Sequence, residues 1–96
     1  MRHGSTTHRE TFFHVGLAHP NYSYGTVFVR NSGELWAMVA AICSRADQFS
    51  RKRGRTISRR RYFQDPTKTI AWLTHKPTFN EAAEFVDFCV SRLEPK

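Results

Sequence analysis

Cysteine is nearly absent from this chain: Cys43 and Cys89 are the only two, far apart and each inside an apolar segment. Two such residues cannot build the disulfide framework of a small secreted domain, and they read as reduced, buried thiols. Long apolar runs are missing as well. The longest, 35–43, is nine residues, about half of the roughly 20 that a bilayer-crossing helix needs. Residues 1–10 contain no apolar stretch of the kind a secretory signal carries, so the expectation is a cytoplasmic protein with no membrane contact. No internal repeat and no low-complexity linker interrupts the chain.

Catalytic and cofactor signatures are lacking in the same way. Gly54 stands alone, so there is no glycine-rich loop to cradle a phosphate. The histidines His3, His8, His14, His19 and His75 form no His-x-x-x-His unit, and the cysteines form no Cys-x-x-Cys unit. His14 reads as a hydrogen-bonded sheet residue rather than a ligand. Cys43 closes an apolar segment in which a thiolate is disfavoured. Asp47 and Asp65 flank the basic segment without forming a paired acid and base. The reading is therefore a protein without enzymatic activity, metal or cofactor.

What the sequence does hold is concentrated positive charge. Arg51, Lys52, Arg53, Arg55, Arg59, Arg60 and Arg61 fall within eleven residues that contain no acid. The other eight basic residues are matched by the eight acidic ones, so the whole formal charge of +7 comes from this patch.

Around it the chain is rich enough to fold. Of its 96 residues 40% are hydrophobic, with eight Phe, three Tyr and two Trp, which argues against disorder and fits one domain with a thin core. Residues 1–10 read as a flexible tail and 11–96 as the domain. Strands are expected at 11–17 and 26–30, with a turn at 21–25 and a hairpin connection at Asn31, Ser32 and Gly33. Segment 34–43 admits a helix or a strand, and the tight loop before it favours a strand apolar on both faces. Leu35, Ala37, Val39 and Ala41 lie on one of those faces and Trp36, Met38, Ala40 and Ile42 on the other. Asp47 or Ser50 can cap a helix that starts near Gln48 and stops at Asp65-Pro66. A further strand is expected at 67–74. Thr78 and Glu81 form a capping box ahead of a helix at 79–93 whose apolar face is Phe79, Ala82, Ala83, Val86, Cys89, Val90 and Leu93, with Phe88 on the polar side. The expected fold class is α+β: a small, mainly antiparallel sheet of three or four strands with two helices packed on it.

On a helix, residues 51, 55, 59 and 62 line one edge, three guanidiniums and a Tyr ring. Like charges one turn apart repel, and phosphate compensates them, because Arg offers a planar donor fork to two oxygens. The expectation is a nucleic-acid-binding module, for DNA or RNA, in which Arg51, Arg55 and Arg59 contact phosphates. Lys52, Arg53, Arg60 and Arg61 add field, and Tyr62, with Phe63 and Trp72 near it, stacks on an unpaired base, although Phe63 and Trp72 read more readily as core. The alternative is an inhibitor or adaptor that docks its arginines on an acidic protein surface, with Phe88 and Trp36 as anchors.

Residues 47–55, Asp-Gln-Phe-Ser-Arg-Lys-Arg-Gly-Arg, follow a hairpin and an apolar strand. This segment resembles one found in small uncharacterised proteins of phages and mobile elements. The resemblance implies a phage-borne protein that binds a host macromolecule, and it transfers no catalytic residue. The Arg60-Arg61 pair departs from the pattern.

Overall fold

Three successive segments rich in β-branched and aromatic residues form β1 (Arg9–Gly16), β2 (Tyr22–Ser32) and β3 (Leu35–Ser44) in a computed structural model that describes residues 9–48, 50–65 and 68–93. They run as an antiparallel meander, and β4 (Ala71–Leu73) completes the sheet order β1-β2-β3-β4. Two helices, α1 (Arg51–Gln64) and α2 (Phe79–Leu93), make the fold α+β. No helix among the described residues is long and apolar enough to cross a membrane.

The loop between β2 and β3 is held at Gly33, whose φ of 71° lies in the left-handed region that glycine adopts without strain. Asn31 closes it by donating from Nδ2 to the carbonyls of Gly33 (3.1 Å) and Leu35 (3.2 Å). The segment expected at 34–43 is accordingly a strand, β3, with Glu34 in the turn before it. It is apolar on both faces because each face meets a helix.

Register assigns the faces. Glu10, Phe12 and His14 of β1 pair with Arg30, Phe28 and Thr26 of β2, and these pair in turn with Ala37, Val39 and Ala41 of β3. That side carries α1. The alternate residues, among them Val15, Val27, Val29, Met38 and Ala40, pack with Ala82, Phe85, Val86 and Val90 of α2 in the main hydrophobic core. The helices therefore sandwich the sheet.

Some expected boundaries move. Residues 22–25, read as a turn, belong to β2, where the register shifts between Tyr22 and Tyr24. Gly25 is buried beneath α2, and a Cβ there would come within 2.7 Å of Val86 Cγ1, so close helix approach rather than a turn explains this glycine. Arg9 and Glu10, assigned to the tail, are paired in β1 opposite Asn31 and Arg30, while residues 1–8 lie outside the described residues. The expected strand at 67–74 contracts to Ala71–Leu73, and Thr67 also lies outside the described residues.

Helix α2 spans the residues its periodicity predicts. Its capping box is formed: Thr78 N donates to Glu81 Oε1 (2.9 Å) and Glu81 N donates to Thr78 Oγ1 (3.2 Å). His75 adds a contact from Nε2 to Glu81 Oε2 at 2.7 Å. The buried face is narrower than expected and centres on Phe85. Phe79 and Leu93, at the two ends, are half exposed.

Candidate nucleic-acid interface

Helix α1 is capped by Ser50, whose hydroxyl accepts from the Arg53 amide at 3.3 Å. With 3.6 residues per turn, its side chains fall into four i, i+4 rows. The row of Gly54, Ser58 and Tyr62 faces the sheet. Gly54 lies directly on Thr26, so that a Cβ would stand 2.2 Å from Thr26 Oγ1. Ser58 is fully buried and donates to the Gly54 carbonyl at 2.7 Å. The Tyr62 ring meets Phe28 edge-on at 5.5 Å. A glycine that costs roughly 1 kcal/mol in helix propensity is thus what lets the helix approach.

The other three rows carry the charge. Arg51, Arg55 and Arg59 run along the β1 flank and are exposed. Arg51 and Arg55 act on His14, which donates to or accepts from Thr26 Oγ1 at 3.1 Å. Burial first, and then these two guanidiniums, hold the His14 pKa below its ordinary value of 6.5. Arg59 Nε donates to Glu10 Oε1 at 2.9 Å, and Glu10 also lies 3.8 Å from Arg30. Lys52, Thr56 and Arg60 form the outermost row, exposed throughout. Arg53, Ile57 and Arg61 face β3. Arg53 and Ile57 border a cavity of about 100 Å³ above Ala41 and Cys43, and Arg61 Nη1 donates to the Ala40 carbonyl at 3.4 Å.

All seven expected basic residues are therefore on one helix and exposed. Among the described residues only Arg59 of the seven is paired with an acid. Arg59, Arg60 and Phe63 border an open depression of about 480 Å³ on the outer face.

The aromatic expectation changes. Tyr62 lies in the row facing the sheet and is half-buried. The residue that extends the 51/55/59 row is Phe63, 46% exposed, with the guanidiniums of Arg59 and Arg30 over its ring at 4.8 and 4.9 Å. Trp72, read as core, is 51% exposed on the same side of the sheet. Its cross-strand neighbour is Ala37, too small to bury an indole, and α1 ends before covering it.

Arg30, Glu10 and Lys68 were not singled out in the sequence. Arg30 stacks on Tyr62 as well as Phe63, and Lys68 stands over the Tyr62 ring while donating from Nζ to the Tyr62 carbonyl. The pairing of Glu10 with Arg30 depends on strand register, which local pattern does not encode. Of the alternative anchors, Phe88 is half exposed with Arg92 over its ring at 5.6 Å, and Trp36 is partly buried on the α2 side. Cys43 and Cys89 are free thiols, and burial pushes the Cys89 pKa up, against the opposing pull of Arg92 and Arg61. Among the described residues no group of three His, Cys, Asp or Glu gathers to hold a metal.

Compared with protein-family models, with curated proteins and with solved structures, the chain finds no match.

Proposed function

We propose that the protein binds nucleic acid through the outward rows of α1, with phosphates held by Arg51, Arg55 and Arg59 and the surrounding field supplied by Lys52, Arg53, Arg60 and Arg61. The observation that carries this reading is that three of the four rows of one helix are cationic and that Glu10 is the one acid paired with them among the described residues. Self-repulsion within such rows amounts to a few tenths of a kcal/mol per pair, and a polyanion reverses its sign. Successive guanidiniums along the β1 flank rise about 6 Å per i+4 step, so the row offers a periodic track to a phosphate backbone.

Arg59 is available to such a ligand. Its pairing with Glu10 is at the surface, where ion pairs are worth about 0–1 kcal/mol, and phosphate offers the same bidentate acceptor geometry. Neutralising Arg51, Arg55, Arg59 and Arg60 together to Gln is expected to abolish binding to labelled oligonucleotides while the circular dichroism spectrum stays unchanged. Retained binding by this variant would overturn the proposal, as would capture of an acidic protein partner that survives nuclease treatment and requires the same arginines.

A further inference from the structure

Helix α1 stops at Gln64, and past its last turn the edge of its side of the sheet carries an exposed Trp72. At that level four residues stand in register on the four strands: Glu10, Arg30, Ala37 and Trp72. Directly paired positions project to the same face, so this row forms a floor beside the last turn of the helix. At its centre the Arg30 guanidinium lies under Phe63 and Tyr62. Ala37, fully buried, contributes only a methyl group, and the row opens to the surface at its Trp72 end. At the far edge stands Trp72, and among the described residues no aromatic ring or guanidinium packs against its indole.

An exposed Trp on a sheet edge is costly in apolar area, and here it shares its face with the basic helix. Phe63 joins the two features. It extends the row Arg51, Arg55, Arg59 by one turn and borders the floor that ends at Trp72. We infer that this corner is a base-stacking platform, where an unpaired nucleobase lies on the Trp72 indole while the sugar-phosphate chain continues past Phe63 along α1. The ligand class is single-stranded nucleic acid. In a duplex the base faces are stacked on one another and closed to a side chain, whereas every unpaired base presents a π-face, and nearby arginines add attraction to it. Positive charge from Arg30, Arg59 and Lys68 around the aromatics complements the phosphates on either side of such a base.

This inference rests on the proposed nucleic-acid binding and goes beyond it by naming the strand state. The test uses the full chain with Trp36→Phe, which leaves Trp72 as the sole tryptophan. It is titrated with oligo(dT) and with a duplex of the same length. The single strand is expected to quench Trp72 fluorescence and to bind more tightly than the duplex. Trp72→Ala should lower single-strand affinity by roughly 5- to 100-fold, the range of one stacked base, with duplex affinity and the salt dependence of binding unchanged. Trp72→Phe should recover most of the loss, which separates stacking from a folding defect. Equal affinity for both forms without quenching, or a Trp72→Ala variant that binds the single strand as well as the parent, overturns the platform and leaves the role of α1 intact. Absence of binding to either nucleic acid overturns both.

Discussion

Helix α2 covers its side of the sheet with Ala82, Phe85, Val86 and Val90, whereas α1 covers the other with Gly54, Ser58 and Tyr62. The first contact is an apolar stripe pressed on Val15, Val27, Val29 and Met38. The second is a glycine set on a threonine, a buried serine bonded within its own helix, and a tyrosine edge against Phe28. A helix that buries so little must be held by fit, and it keeps two rows turned outward while its third, Arg53, Ile57 and Arg61, lies against β3. The contrast gives the larger apolar contact to α2 and leaves α1 with the exposed charge on which the proposed recognition rests.

The largest effect expected from breaking this contrast comes at Phe28, fully buried and in ring contact with Phe12, Tyr62 and Phe63. Phe28→Ala should cost about 3–5 kcal/mol in urea unfolding, because it removes the one large apolar anchor of α1. Gly54→Ala comes next. Helix propensity alone would raise stability by about 1 kcal/mol, but the added Cβ collides with Thr26 Oγ1 and Cβ, so a net loss of about 1–3 kcal/mol is expected. A stabilised Gly54→Ala protein would show that α1 does not sit where the contrast requires.

The smallest effect is in acid. His14 has its pKa lowered by burial and by Arg51 and Arg55, so the folded protein binds its proton less readily than the unfolded chain. Its contribution is therefore complete above the ordinary value of 6.5 and is lost as pH falls below it. Thermal unfolding between about pH 7 and pH 5 should show falling stability, and His14→Asn should flatten that segment of the curve. Glu81, lowered chiefly by its Thr78 amide bond and then by His75, acts in the same direction at lower pH.

How far the sequence reveals this molecule follows the same divide. Helix α2 is legible because its apolar period and the Thr78/Glu81 box are local signals, and both ends fall where they predict. β3 is legible because Gly33 forces a tight return. The charge of α1 is also on the surface of the sequence. Its inward row is not, since Gly54, Ser58 and Tyr62 carry no common hydrophobic signature and acquire meaning only against Thr26 and Phe28. The same holds for Phe63 and Trp72, whose apolar character suggests burial. Their exposure follows from where α1 ends and from Ala37 lying beside Trp72, both consequences of register and packing.

The most direct measurement is the dependence of oligonucleotide affinity on salt for the parent protein and for Arg55→Gln, plotted as log affinity against log salt concentration. The parent should fall on a straight line of negative slope, and losing one phosphate-contacting arginine should make that slope shallower by about 1. A parent affinity indifferent to salt, or a slope that Arg55→Gln leaves untouched, would contradict the assignment of α1 as a phosphate-binding face.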